Sequence, residues 1–155
     1  MKSFFLQDPK LLLYGFLIIF FASYGQTFFI SLFNENIREY YSLTDGEFGL
    51  IYAVATTLSS LALVSFAKLI DYIDLRIYSL LVSFGLSVAC FGMFIFYNNI
   101  IFLFIIIFAL RFFGQGAMTH SGETTMARYF GENRGKAISF STFGGMIGVM
   151  LLPII

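Results

Sequence analysis

One basic residue lies deep inside an apolar segment. Arg111 has eleven uncharged residues on either side within the run 100–122, which would place its guanidinium near the middle of a bilayer. Burying a charge there costs at least about 2.5 to 3.5 kcal/mol, so such a residue usually faces a partner or a water-filled cavity. Arg111 is therefore either a packing anchor bound to backbone carbonyls or a cavity cation that takes part in substrate binding or proton coupling.

The single histidine follows on the same predicted helix. On a regular helix, Gln115 shares the face of Arg111, whereas His120 points about 180° away from it. His120 precedes Glu123 by three residues, so these two side chains can touch. Histidine titrates near physiological pH, so His120 is a candidate for proton coupling. The alternative is a hydrogen-bonded histidine between helices.

A short internal repeat links the first and fourth apolar runs. Tyr24–Gln26 and Phe113–Gln115 both read aromatic-Gly-Gln, at an offset of 89 residues. An inverted repeat of helical hairpins places such segments at equivalent positions around a binding site. We therefore expect Tyr24, Gln26 and Gln115 to line a central cavity together with Arg111.

Small residues recur where helices are expected to cross. The fourth run contains Gly114 and Gly116, and the last run contains Gly145 and Gly148. Small residues allow the close backbone approach on which helix packing in membranes depends. These four glycines are predicted to be helix-packing residues.

The elements that hold these residues belong in a membrane. The chain is 59% hydrophobic and 12% charged, with a mean hydropathy of +0.87, whereas globular domains have about 25% charged residues. Nine basic and nine acidic residues give no net charge and hence no field to attract nucleic acid. One Cys and one His are too few for a disulfide framework or a His/Cys metal site. We expect no cofactor, no metal and no nucleic-acid partner.

Five runs, uncharged apart from Arg111, approach the roughly 20 residues needed to cross a bilayer: 11–33, 48–67, 77–96, 100–122 and 137–155. The helix of the fourth run can continue to about residue 130. The first run exceeds the 7 to 15 apolar residues typical of a signal peptide, which indicates a retained membrane helix. Thr44 and Glu47 have capping-box spacing before the second run. The fold class is an all-α polytopic membrane protein.

The basic residues outside the spans are distributed unevenly. Seven of them, including Lys2 and Lys10, fall on the side that holds the N-terminus, and only Arg38 falls on the other. Positive residues remain on the cytoplasmic side, so the N-terminus is predicted to be cytoplasmic.

The order of these motifs resembles that of the major facilitator superfamily. Between the second and third spans, Ala67–Arg76 resembles the family's cytoplasmic signature G-x-x-x-D-R-x-G-R-R, with Asp71 and Arg76 at matching positions. Leu110–Ala117 resembles the fourth-helix motif, an Arg followed closely by Gly-x-Gly, and Arg134–Ala137 resembles the loop before the fifth helix.

This resemblance implies a major-facilitator-type helical bundle, in which residues 1–155 form part of the N-terminal six-helix half and correspond to helices 1 to 5 of twelve. It implies secondary transport of a small organic solute by alternating access, as symport, antiport or uniport, in the cell membrane. A coupling ion such as H⁺ and a C-terminal half would complete the function, and no enzymatic activity is expected. The Gly-Gln-Gly of the fourth helix looks most like the monocarboxylate and oxalate/formate branch, which indicates an organic anion such as a monocarboxylate.

Two roles follow for the charged residues. Asp71 and Arg76, with Glu123 on the inner part of the fourth helix, are predicted to form an ion-pair cluster that gates the cytoplasmic side. Because the first three spans contain no acidic residue, the partner of Arg111 is expected to be a backbone carbonyl, an acid elsewhere or an anionic substrate. The anion is favoured, since a guanidinium binds a carboxylate with two hydrogen bonds.

Two other classes of protein remain open. An integral-membrane enzyme would need His, Asp or Glu ligands clustered at one membrane face, and His120 with Glu123 does not make such a cluster. A non-transporting membrane subunit or remnant is the other alternative, because the second-to-third loop departs from the family signature at several positions.

Overall fold

The computed structural model of this chain describes residues 8–95 and 99–154, and every regular element within them is helical. Four segments are long and apolar enough to cross a membrane: Pro9–Ser31, Asp45–Asp71, Leu75–Ile95 and Ile100–Tyr129. The predicted span ends at 96 and 155, part of the third-to-fourth loop, and Lys2 lie outside the described residues. The all-α membrane architecture expected from composition is confirmed.

The first span is divided. Helix α1 (Pro9–Ala22) begins at Asp8, whose Oδ1 accepts a hydrogen bond from the N–H of Leu11 at 3.0 Å. A 3₁₀ turn follows at Ser23–Gly25, and Gln26 is extended before the short helix α2 (Thr27–Ser31). The sequence marks this place only by the small and polar residues of the segment 23–27 within an otherwise apolar run.

The connection between the first two spans is itself helical. Helix α3 (Asn34–Tyr41) ends at Ser42, whose φ of 53° is left-handed. Thr44 then caps helix α4 (Asp45–Phe66): its Oγ1 accepts from the N–H of Glu47 at 3.3 Å, and its own N–H donates to Glu47 Oε2 at 2.8 Å. The predicted capping box is confirmed, because both reciprocal hydrogen bonds form.

The third and fourth spans and the last helix complete the bundle. Helix α4 continues as a 3₁₀ turn at Ala67–Asp71, and α5 spans Leu75–Ile95. The fourth span consists of α6 (Ile100–Ala109), a π-helix (Leu110–Met118) and α7 (Thr119–Tyr129). A 3₁₀ turn at Gly131–Asn133 leads into α8 (Arg134–Leu151).

The fifth predicted span, 137–155, corresponds to α8. This helix starts with two positive charges, Arg134 and Lys136, and it is not one of the four membrane-length apolar helices found among the described residues. It ends at Leu151, two residues before Pro153, where a proline without an N–H would no longer support a regular helix.

The fourth span occupies the centre of the bundle. Its π-helix contacts α4, α5 and the Ser23–Gly25 turn, while α8 and α7 pack along α1. In its most apolar stretch 44% of the fourth span is buried inside the protein, compared with 11% for the second span. The second span therefore turns most of its apolar side chains away from this bundle, and the fourth turns its own inward.

Candidate functional site

The break in the first span lies against the π-helix of the fourth. A Cβ added at Gly114 would lie 2.6 Å from the Cα of Gly25, and one added at Gly25 would lie 2.9 Å from the backbone N of Gln115. Real Cβ atoms do not approach backbone this closely, so both positions require glycine. The two glycines of the aromatic-Gly-Gln repeat therefore face each other at the closest crossing of these helices.

Arg111 projects from the π-helix into this crossing and is only 7% exposed. Its Nη1 donates to the carbonyl of Gly25 at 3.2 Å and to Thr27 Oγ1 at 3.0 Å. Its Cζ lies 5.4 Å from the centre of the Tyr52 ring, and the Tyr52 hydroxyl donates to Thr27 Oγ1 at 2.9 Å. Every one of these partners is electrically neutral.

The helix break explains why a backbone carbonyl is available to Arg111. In a regular helix the N–H of Phe29 would bond to the carbonyl of Gly25. Here that N–H donates instead to the carbonyl of Gln26 at 3.2 Å, which leaves Gly25 to accept from the guanidinium. The local geometry of α1 and α2 thus supplies one partner of the buried charge.

One side of the guanidinium lacks a partner. Arg111 Nε and Gln115 Oε1 are both buried and neither has a hydrogen-bond partner in the described structure. Both residues line a cavity of about 140 Å³ between α4 and the π-helix, together with Ser59, Ser60, Leu63 and Gly116. Buried polar atoms without partners are rare in native proteins and indicate a position for water or a ligand.

The structure separates the other predicted cavity residues from this site. Tyr24 lines a second, larger and mainly apolar cavity of about 940 Å³, bounded by α2, α3 and α5, in which Phe29, Phe33 and Cys90 are also found. Gln26 is half-buried and lines neither of these two cavities. The prediction that Gln26 and Gln115 share one cavity therefore has no support from their placement.

The end of the bundle that holds Asp71 has a different ion pair from the predicted cluster. Asp71 Oδ1 pairs with Nη2 of Arg128. The backbone N–H of Arg76 bonds to Asp74 at the start of α5, and Glu123 is exposed and belongs to neither of the two ion pairs among the described residues. Among the described residues Asp71 thus pairs with Arg128, which lies five residues after Glu123 in α7, and not with Arg76 or Glu123 as expected.

His120 also has a different neighbour from the one expected. The hydroxyl of Thr124 lies 3.4 Å from its Nδ1, one turn along the helix, whereas Glu123 points to the exposed side. The described residues contain no group of three or more His, Cys, Asp or Glu side chains arranged to hold a metal.

The predicted packing glycines lie at close helix contacts. A Cβ on Gly116 would lie 2.9 Å from a methyl of Leu63, and one on Gly148 would lie 2.9 Å from the carbonyl oxygen of Phe20. A Cβ on Gly145 would approach a side chain of α1 within 3.0 Å. The close contact of α8 with α1 therefore depends on glycines, which have no side chain to hold the helices apart.

Several residues of the site were not singled out from the sequence. Thr27 and Tyr52 contact Arg111 or its partner, and Ser59 and Ser60 line its cavity. The signal for the serines was present, since Thr56, Thr57, Ser59 and Ser60 form a hydroxyl-rich cluster within an otherwise apolar span. Pairing that cluster with Arg111 requires the three-dimensional packing of α4 on the π-helix.

A comparison with protein families extends this picture to the whole chain. The model of the Major Facilitator Superfamily matches residues 15–155. A search of curated proteins and a search of solved structures gave no match. Proteins of this family are membrane transporters of small solutes and not enzymes. Since the match covers nearly the entire sequence, and the helices are those of a multi-pass membrane protein, this chain belongs to the major facilitator superfamily.

Proposed function

We propose that these helices are the first five of a secondary transporter for a small organic anion, and that Arg111 binds the anion. The observation that carries this proposal is the state of the Arg111 guanidinium, which is buried, surrounded by neutral partners and left with Nε unpaired beside a cavity. Buried charges normally have a charged partner, and none of the cavity-lining residues is acidic.

Electrostatics favours an anion over other solutes at this position. A guanidinium keeps its charge in proteins, and the Gly25 carbonyl, the Thr27 hydroxyl and the Tyr52 ring lower its energy without cancelling that charge. Nε lies on the edge of the guanidinium that accommodates a carboxylate through two parallel hydrogen bonds. An arriving carboxylate would neutralise the charge and satisfy Nε at the same time.

Alternating access would be controlled at the cytoplasmic end. The pair of Asp71 with Arg128 joins the turn after α4 to the end of α7, so its making and breaking can bias the inner side between two states. His120, halfway between Arg111 and Arg128 along the same helix, is the candidate for coupling to H⁺. The resemblance of the fourth helix to the monocarboxylate and oxalate/formate branch supports a small carboxylate as the solute.

Uptake by proteoliposomes containing the full-length protein tests this proposal. Unlabelled short carboxylates are expected to compete with a labelled carboxylate, whereas amides and amines of the same shape are not. Transport of amines or sugars, together with no competition by carboxylates, would contradict the proposal.

Accessibility of the cavity gives a second test. In a Cys90→Ser background, Gln115→Cys is expected to react with small water-soluble thiol reagents and to be protected by substrate. Gln26→Cys is the matched control, because Gln26 holds the equivalent position in the aromatic-Gly-Gln repeat but lines neither of the two cavities. Reaction of Gln26→Cys alone, with Gln115→Cys inert, would contradict the placement of the site.

A further inference from the structure

We infer that Tyr52 opposes solute binding at Arg111, because its ring stabilises the guanidinium charge most strongly while the site is empty. This inference rests on the proposed function and adds a residue that sets the affinity of the same site. Tyr52 is thereby assigned a role opposite to that of Thr27, although both residues contact Arg111.

The hydrogen-bond partners of Arg111 hold a single atom of its guanidinium. Gly25 and Thr27 both accept from Nη1, at 3.2 and 3.0 Å. The buried Nε without a partner lies on a different edge, which Nε forms with Nη2 and which can bind both oxygens of a carboxylate. A solute bound at that edge leaves both Nη1 hydrogen bonds in place.

Tyr52 interacts with the charge of the guanidinium and not with one of its N–H groups. The Cζ atom of Arg111 lies 5.4 Å from the centre of the Tyr52 ring, within the roughly 6 Å over which an aromatic face attracts a cation. Arg111 is only 7% exposed, and desolvation strengthens this attraction. The face of the ring is partially negative, so it attracts a guanidinium much less once a carboxylate balances the charge.

The neighbours of Tyr52 fix its ring in this position. Its hydroxyl donates to Thr27 Oγ1 at 2.9 Å, and the same oxygen accepts from Arg111 Nη1. The ring also packs against Phe48, with the ring centres 6.3 Å apart. Since one hydroxyl oxygen binds both Tyr52 and Arg111, the ring and the guanidinium are held together in the empty site.

The affinity of the solute depends on the difference in free energy between the occupied and the empty site. A contact that stabilises the empty site more than the occupied one lowers the affinity. Removing the negative charge from the ring face is therefore expected to strengthen binding. Loss of a residue that only positions Arg111, or general damage to packing, would weaken binding instead, so the sign of the change separates the two roles.

Phenylalanine analogues that carry one, two or three ring fluorines test the inference, because fluorine withdraws negative charge from the ring face with little change in ring size. They would be incorporated at position 52 of the full-length protein, with Tyr52→Phe as the reference that lacks the hydroxyl. Affinities for acetate and propionate would be measured by titration calorimetry. We expect the affinity to rise with each fluorine and to reach about threefold above that of Tyr52→Phe with three fluorines, since a desolvated cation–π contact is strong enough for such a change.

Phe48 provides the matched control. It lies one turn earlier on α4 and contacts the Tyr52 ring, whereas among the described residues Tyr52 is the aromatic side chain that lies over a guanidinium. The same analogues at position 48 should therefore leave the affinity unchanged. A parallel rise at position 48 would overturn the inference, because the effect would then not depend on the contact with Arg111.

Two further outcomes distinguish the inference from the proposed function. An affinity that falls or stays constant as fluorines are added at position 52, while Arg111→Lys still weakens binding, would refute the role of Tyr52 and leave the anion site intact. If neither these two acids nor any other short carboxylate binds the unmodified protein, the proposed function itself is wrong.

Discussion

Two arginines on the same span experience opposite environments. Arg128 lies in the last turn of α7, where its side chain is 44% exposed and pairs with a carboxylate, Asp71, that is 58% exposed. Arg111 lies seventeen residues earlier, is 7% exposed and contacts only neutral groups. One charge is solvated and paired, whereas the other is desolvated and has no carboxylate partner.

The two charges differ in the free energy needed to bury them, and the backbone around them differs as well. An exposed ion pair typically contributes about 0 to 1 kcal/mol, and Arg128 lies in the regular helix α7. Around Arg111 the structure is irregular on both sides: the first span breaks at Ser23–Gly25, and the fourth adopts a π-helix. Short π-helical segments are often found at functional sites. In the first and fourth spans the irregular backbone thus lies next to the unpaired charge.

The largest expected effect comes from the glycine crossing that supports Arg111. Gly114→Ala would place a Cβ 2.6 Å from the backbone of Gly25, and such overpacking typically costs about 1 to 3 kcal/mol. Gly49→Ala in α4 is the matched control, because nothing lies within 4 Å of its added Cβ and alanine favours a helix. Thermal unfolding followed by circular dichroism should show a lower melting temperature for Gly114→Ala only. Equal melting temperatures would mean that the two spans do not need to touch there.

A smaller effect is expected at one of the neutral partners. Thr27→Val keeps the shape but removes the acceptor of Arg111 Nη1 and of the Tyr52 hydroxyl. Losing one such hydrogen bond typically costs about 1 kcal/mol, so the affinity for a carboxylate should fall about fivefold. Thr57→Val, in which the lost bond is remote from Arg111, serves as the control. Similar losses in both variants would show that Thr27 does not position the guanidinium.

The smallest effect on affinity is expected at the ion pair of Asp71 with Arg128. Asp71→Asn and Arg128→Gln should each change the transport rate while substrate affinity stays within about twofold, because an exposed pair contributes at most about 1 kcal/mol. The double variant should behave like either single variant, and Arg76→Gln should transport normally. A rate defect in Arg76→Gln comparable to that of Asp71→Asn would restore the gate first expected from the sequence.

The sequence predicts the features that depend on local pattern. Apolar runs locate the membrane helices, and Thr44 with Glu47 marks the start of α4 correctly, because capping involves residues three apart. The buried position of Arg111 also follows from its place in the run 100–122. These features depend on hydrophobic burial and short-range hydrogen bonds.

The irregular features around Arg111 depend on contacts between distant segments. Small and polar residues at positions 23–27 interrupt the apolar run 11–33, but the break itself accompanies the approach of Gly114, almost ninety residues away. The prediction that His120 points away from Arg111 assumes a regular helix with 3.6 residues per turn. The π-helix at Leu110–Met118 does not have this geometry. The partner of Asp71 likewise depends on where α7 ends, and so the sequence favours the nearer Arg76.

The same substitution at both arginines tests the central claim most directly. The affinity of the full-length protein for a short carboxylate would be measured in Arg111→Lys and Arg128→Lys, each of which keeps the charge but loses the planar fork. We expect Arg111→Lys to weaken binding by about 10- to 150-fold, corresponding to roughly 1.5 to 3 kcal/mol for a charged hydrogen bond, and Arg128→Lys to stay within about twofold. Unchanged affinity in Arg111→Lys, or equal losses in the two variants, would contradict the assignment of Arg111 as the anion-binding residue.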